Sequence, residues 1–442
     1  MGREVAAVVT LVACASCAIA VIAIRHRLKR LARMTKAEEM VEAFREQCAL
    51  PEPSLRKIAE CLWNEMGVAL RTEDSTLKML PSFVDLLPTG KEKGYYYALD
   101  LGGTNFRVIR VLFGGEDGGV LDWKSAEAVI PQELMTGTRE ALFDFIADAV
   151  AKFVEKEDGG VKHNDGKLLD LGFTFSFPVN QIAIDRGTLV NWTKGFKVPN
   201  MEGQEVVGYL NQAFKARGLN MRVTALVVNT EWGNYASHYL PYTFADRELD
   251  KESLNKGEQI FEKMISGMYL GDIVRRFLVR LAEETELFGN EALARLRKPF
   301  SLSTPIMSRM EMDHSDGLDV VGCTLEDVYG IRQTTLNTRK LVQDVCSIVT
   351  ERAARLAAAG VYGVLERIRR GNNNDKPPPL TQKMAVAVDG GVYEHFGSFR
   401  TQLKDTLAEL LEDDADYVDL VLAKDGSGLG AALLAATYSS SG

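Results

Sequence analysis

Cysteine is scarce in this chain: six residues, at 14, 17, 48, 61, 323 and 346, in a sequence of 442. None is spaced as a disulfide framework or a zinc site, which argues against a stapled secreted scaffold and a zinc-built module. A reduced, cytosolic setting is expected for the folded part. Cys14-x-x-Cys17 has the form of a redox motif, but its surroundings are lipid-like. A basic surplus is absent too. The formal net charge is −9, which argues against direct binding of nucleic acid. There is no short-period internal repeat. The rest is ordinary: 46% hydrophobic and 26% charged residues, in a length that holds two or more domains with large cores.

One stretch has no charge at all. Val5 to Ile24 is apolar or small throughout, and twenty such residues in a helix span roughly 30 Å, a bilayer core. Arg25-His26-Arg27-Leu28-Lys29-Arg30-Leu31-Ala32-Arg33 follows, and positive charge on that flank keeps it in the cytosol. Residues 1–33 are therefore read as a membrane anchor with a basic flank. A cleaved signal would want a basic start, but Arg3 and Glu4 cancel. A buried core helix fits poorly beside so basic a cluster.

Beyond the anchor, Lys36 to Met66 is helical in pattern, with Met40, Ala43, Phe44 and Cys48 on one face. Pro51-Glu52-Pro53-Ser54 breaks it and starts a second helix. Strands are predicted at 94–113, 121–130, 168–175 and 223–228, with helices at 139–155 and 205–216 and an exposed loop at 155–167. The second half is mostly helical, with long amphipathic patterns at 259–288 and 339–370. A surface loop at 371–379 leads to Met384-Ala385-Val386-Ala387-Val388, predicted as a buried strand that ends in the turn Asp389-Gly390-Gly391. A helix at 396–411, a strand at 418–421 and a helix at 428–436 complete the chain. Strands followed by helices suit an α/β fold.

The run Leu99-Asp100-Leu101-Gly102-Gly103-Thr104-Asn105-Phe106-Arg107-Val108 lies between two β-prone segments. Strand, Gly-Gly turn, strand is a hairpin signal. Glycines let backbone N–H groups approach a bulky anion, Thr104 and Asn105 add donors, and Asp100 can hold a metal-bound water. That suits a nucleotide phosphate with magnesium. It is not a P-loop, since no Gly-Lys-Ser/Thr and no helix follow. An ordinary tight hairpin is the plainer alternative.

Further stretches carry a resemblance. They are Gly172-Phe173-Thr174-Phe175-Ser176-Phe177-Pro178-Val179, Asn191-Trp192-Thr193-Lys194-Gly195-Phe196 and Val228-Asn229-Thr230-Glu231-Trp232-Gly233. Phe261-Glu262-Lys263-Met264-Ile265-Ser266-Gly267-Met268-Tyr269-Leu270-Gly271 and Asp425-Gly426-Ser427-Gly428 follow. With the hairpin, they resemble the eukaryotic hexokinase family from about Ala37 to Tyr438, and most of all its membrane-anchored plant members. The resemblance implies an α/β fold of two actin-like, ribonuclease-H-type lobes around a cleft, a small lobe at 34–228 and a large lobe at 229–438. It implies transfer of the ATP γ-phosphoryl group, with Mg²⁺, to the 6-hydroxyl of glucose or a similar hexose. It also implies an outer-mitochondrial-membrane location with the lobes in the cytosol.

Residue by residue, the resemblance puts Ser176, Phe177, Pro178, Thr193, Lys194, Asn229, Glu231 and Glu262 on the sugar. Lys194 is placed to stabilise charge on the transferred group. Asp100, Gly102, Gly103, Thr104, Asn105, Arg107, Asp389, Gly390, Gly391, Gly426, Ser427 and Gly428 match the nucleotide side, with Asp100 toward the metal. Taken alone, Glu262 beside Lys263 reads as a solvent-facing charge, and Gly426–Gly430 as a small-residue helix on a sheet.

One departure matters as much. In the family, the strand matching Thr224-Ala225-Leu226-Val227 continues into Asn-Asp-Thr-Val-Gly, with the catalytic aspartate, and then into a hairpin with Gly-Thr-Gly-Thr-Asn. Here Val227 runs straight into Val228, and no Asp occurs between Asp185 and Asp246. The resemblance implies that the missing block held the first strands of the large lobe's sheet. A catalytically impaired sugar sensor is therefore the rival to a working kinase.

Overall fold

The computed structural model describes residues 2–439 apart from 72–74, 78, 81, 104, 117, 158–167, 229–231 and 372–378, with the backbone alone for 2–20 and Asn290. A helix runs from Gly2 to Cys48. Among the described residues no helix is long and apolar enough to cross a membrane. Most of the run 5–24 lies where side chains are outside the described set.

The first lobe is built on one mixed sheet. Its strands are β1 (Lys93–Leu101), β2 (Asn105–Gly114), β3 (Val120–Val129), β4 (Leu169–Phe175) and, after the hairpin β5 (Val179–Ala183) and β6 (Arg186–Leu189), β7 (Met221–Val228). Their order in space is β3-β2-β1-β4-β7. β1 and β2 pair antiparallel out to Leu101↔Phe106, so the predicted Gly-Gly turn closes the hairpin. β4 lies parallel to both β1 and β7. Leu171 to Phe175 are buried without a break, as expected of a central strand covered on both faces. One face packs on the helices Arg139–Glu157 and Val206–Ala216 through Leu142, Ile146, Val150, Leu210 and Phe214. The other is covered by the last helix, Gly426–Ser439, through Ala431, Ala432 and Ala436. That approach is close: a Cβ on Gly172 would stand 2.0 Å from the Ala431 carbonyl oxygen.

The second lobe is helical around the long helix Leu336–Arg370, with Leu270–Thr285, Thr304–Glu311 and Gly397–Leu411 packed on it. At its centre Arg352, fully buried, donates two hydrogen bonds to Asp246 at 2.7 and 2.8 Å. Asp246 also closes a capping box with Thr243. The only sheet of this lobe among the described residues is a parallel pair, β8 (Met384–Val388) and β9 (Val418–Leu422).

Four expectations change. The pattern at 259–288 is two helices, Ile260–Ile265 and Leu270–Thr285. Between them, Gly267 lies so near the turn after β8 that a Cβ there would meet Val392 Cγ2 at 2.6 Å. β8 is not buried: Met384 and Val386 pack on the helices, but Ala385 and Ala387 face solvent, because no further strand or layer covers that side among the described residues. On the first helix Val41, not Ala43, joins Phe44 and Cys48 in the core. Finally, chain order and space disagree at both ends. Residues 37–66 pack with the second lobe, and Gly426–Ser439 packs with the first.

Candidate active site

The sugar-side residues arise where strands end. Ser176 follows β4 directly, and its N–H donates to the Leu101 carbonyl at 3.0 Å, tying it to the hairpin of β1. Phe177 and Pro178 are buried beneath it. Phe177 meets Trp192 and Phe196 edge-on, with centroids 4.9 and 5.0 Å apart. This aromatic cluster fixes the loop Asn191–Phe196, whose Thr193 is buried. Lys194 holds a left-handed backbone (φ 53°) and Gly195 another (φ 84°), a tight reversal that turns the lysine back over the strand end. Its ammonium donates to the Ser176 carbonyl at 2.9 Å and lies 5.9 Å from the Phe177 ring centre.

Glu262 arrives from the second lobe on the short helix Ile260–Ile265. Burial pushes its carboxyl above the usual range, and the Lys194 and Lys263 ammonium groups pull it partly back. Lys263 itself is not solvent-facing. It is buried and donates to Asp250 Oδ1, Ser253 Oγ and the carbonyls of Asn255 and Glu258, at 2.7 to 3.0 Å. The loop so held leads to Gln259, which takes a left-handed backbone (φ 53°) and donates its N–H to Asn234 Oδ1 at 3.0 Å. Gly233 permits this approach, since a Cβ there would meet Gln259 Oε1 at 2.6 Å and Glu262 Cβ at 2.9 Å. From the same loop Glu258 accepts from Asn191 Nδ2 at 3.4 Å, across the lobes.

The phosphate-side residues converge on Ser427. Its hydroxyl donates to Asp100 Oδ2 at 2.6 Å and lies 3.4 Å from Asp389 Oδ2, which also accepts from the Ser427 N–H at 3.3 Å. Burial raises the Asp100 carboxyl, and Ser427, Arg107 and Lys194 oppose the rise. Arg107 Nη1 donates to Asp425 Oδ1 at 2.6 Å. Asn105 instead donates its amide to Glu127 on β3. Gly390 (φ 129°) needs its lack of a side chain for the turn after β8. Gly428 serves packing, since a Cβ there would stand 2.2 Å from Ile109 Cδ1. Gly426 sits at the helix start beside Ala423, and a Cβ on Gly102 would meet no atom within 4 Å.

Lys194 joins the two halves. It interacts electrostatically with both Glu262 and Asp100, and its Cδ stands 3.9 Å from where a Gly103 Cβ would be. A cleft of about 910 Å³ is lined by Lys194, Trp232, Glu262, Asp389, Gly390 and Gly391, among others. Thr104, Asn229 and Glu231 lie outside the described residues. The carboxylates of Asp100 and Asp389, brought together over one hydroxyl, are hard oxygen donors of the kind that a magnesium–phosphate group takes through its waters. Sequence reading passed over Gln259, Lys263, Asp425 and the Asn191–Glu258 contact. The Asn255-Lys256-Gly257-Glu258 turn run just ahead of Gln259 is the signal that was available for this loop.

Comparison with known proteins agrees with this arrangement. Family models described as hexokinase match residues 40–239 and 197–437. Hexokinase-2 of Oryza sativa subsp. japonica is 44% identical over 467 residues, covering 93% of this chain and 94% of its own length. Hexokinase-2 of Arabidopsis thaliana is 42% identical over 493 residues, covering 99% and 98%. A solved hexokinase from Schistosoma mansoni, complexed with glucose, superposes with a TM-score of 0.80 at 29% identity, covering 93% of this chain and 99% of its own. The two plant alignments also take in positions that this chain lacks. Each is longer than the share of the 442-residue chain it takes in, so roughly fifty-five positions of each relative have no counterpart here. Matched by both family models and by plant relatives over more than nine-tenths of its length, the chain belongs to the hexokinase family.

Proposed function

We propose that this chain binds a hexose between Ser176, Thr193, Lys194 and Glu262, with ATP on the Asp100–Asp389–Ser427 side, and transfers the γ-phosphoryl group to the sugar 6-hydroxyl far more slowly than a complete relative. The observation that carries the reading is Lys194, which lies within electrostatic reach of the carboxylates of both halves of one cleft. Carboxylates and carbonyls accept from sugar O–H groups, and a lysine ammonium at the junction offsets charge that develops on the transferred group. Magnesium, when bound, would neutralise phosphate charge; Asp100 and Asp389 are the residues that would hold it through water. The hydroxyl proton still needs a base. Without a positioned one the rate falls roughly a hundred- to ten-thousand-fold.

The same balance supports a second reading, a hexose sensor, since the described sugar-side groups remain while the family's aspartate does not. Calorimetry with glucose, beside an assay for glucose 6-phosphate, tests both. Binding with slow turnover supports the first, binding with none the second, and no binding refutes both. For location, we propose the outer mitochondrial membrane with both lobes in the cytosol, on the apolar run 5–24 and its basic flank. Deleting residues 1–33 should release the chain from the membrane fraction.

A further inference from the structure

One buried cation organises a loop of the second lobe. Lys263 is 2% exposed, and its ammonium donates to Asp250 Oδ1, Ser253 Oγ and the carbonyls of Asn255 and Glu258. Asp250 also accepts from the Gly257 N–H, at 2.9 and 3.1 Å to its two carboxylate oxygens. Gly257 (φ 78°) and Gln259 (φ 53°) both turn left-handed, which brings the chain back on itself. The loop is wound around the ammonium as a chain winds around a bound ion. One charge sets its course, because a buried ammonium without acceptors is costly.

The end of this loop reaches the other lobe. Glu258 Oε2 accepts from Asn191 Nδ2 at 3.4 Å, and among the described residues that carboxylate makes no other hydrogen bond. Asn191 opens the segment that carries Thr193 and Lys194, and the Phe196 N–H closes that segment by donating to the Thr193 carbonyl at 3.0 Å. On the other side, Glu262 lies on the helix that the wound loop leads into, and it lines the cleft together with Lys194. A single loop therefore ends in a contact with the Lys194 segment and in the start of the Glu262 helix.

We propose that the Asn191–Glu258 contact is a clasp between the lobes, with Glu258 and Lys263 as positioning residues. Lys263 fixes the loop, Glu258 holds the Lys194 segment toward Glu262, and the clasp sets how tightly the cleft retains a hexose. A segment already held in its binding arrangement does not have to be ordered when the sugar arrives. That last step rests on the hexose reading above; the clasp itself does not.

The test is read first without sugar, by hydrogen exchange on the full chain. Glu258→Ala should speed exchange at Phe196 about tenfold, the worth of one hydrogen bond to a charged group, and leave Gly257 unchanged. Lys263→Met should speed both. Asn191→Asp sets two carboxylates against each other and should loosen Phe196 further, whereas Asn191→Asp combined with Glu258→Gln reverses donor and acceptor and should restore the parent rate. Calorimetry then follows: Glu258→Ala should weaken glucose binding about tenfold at an unchanged thermal midpoint, and the reversed pair should recover it. A Phe196 amide indifferent to Glu258→Ala, or a reversed pair no better than Asn191→Asp alone, would overturn the proposal. So would a glucose affinity that ignores a loosened clasp. Should Lys263→Met lose the fold of its lobe, the pair reversal still decides. A parent chain that binds no glucose strikes the hexose reading alone, because the exchange results need no sugar.

Discussion

The sheet edges of the two lobes are finished differently. β3, one of the two edge strands of the first lobe's sheet, is exposed along almost its whole length, and Asp122, Lys124 and Glu127 stud it with charge. Charges of both signs make such an edge a poor template for a stranger's strand. β8 reads Met-Ala-Val-Ala-Val and has no charge at all. It has the composition of an inner strand at the position of an outer one. The difference teaches that a strand's sequence records the neighbours it is built for. β4 has those neighbours on both sides, and among the described residues β8 has one.

The largest effect should come from completing the second sheet. Inserting the family block between Val227 and Val228 should raise glucose 6-phosphate formation by about a hundred- to ten-thousand-fold, the share of a positioned base. Equal rates from both chains would mean that a carboxylate already present, such as Glu262, supplies the proton acceptor. A stability comparison comes next. Arg352→Met leaves Asp246 buried without its partner and should cost about 3–5 kcal/mol, seen in denaturant as loosening of the second lobe's peptides alone. Phe177→Ala should cost a similar amount, about 3–5 kcal/mol, in the first lobe. If either change loosens both lobes together, the lobes unfold as one and the comparison between them fails as a thermodynamic statement.

A smaller effect is expected at the junction. Lys194→Ala removes a charged donor and should weaken glucose binding about ten- to a hundredfold by calorimetry, the value of one hydrogen bond to an ion. The smallest concerns pH. The folded Glu262 carboxyl binds its proton more tightly than the unfolded one, because burial penalises the charge. The folded state therefore holds more protons, and its stability falls as pH rises from the usual glutamate range through the raised value. Glu262→Gln removes that loss. The variant should match the parent in acid and exceed it in thermal midpoint near neutrality, while binding glucose less well. A variant less stable than the parent at neutral pH would show that the carboxylate is not held against its desolvation.

Much of this was legible in the sequence, and for definable reasons. The β1–β2 turn was readable because its signal is local: β-prone runs on either side of two glycines. The same holds for the strand end at Ser176 and the loop around Lys194. Lys263 was passed over because its four acceptors come from residues 250–258, a loop whose course no helical periodicity reveals. The split at Gly267 was hidden for the same reason, since the residue it avoids, Val392, is distant in sequence. β8 was predicted as buried from its composition, which suits a wider sheet than the β8–β9 pair found among the described residues.

The last helix has a consequence for how the molecule is made. The first lobe's sheet is finished by residue 228, yet one face of it waits for Gly426–Ser439. A ribosome emitting roughly 5–20 residues per second takes about ten to forty seconds to supply the difference. Through that interval Ala98, Ile109, Val111 and Phe113 stand uncovered, and Gly172 has no helix against it. A transcript that stops short of residue 426 would release a first lobe with every strand in place and an apolar face open to whatever it meets.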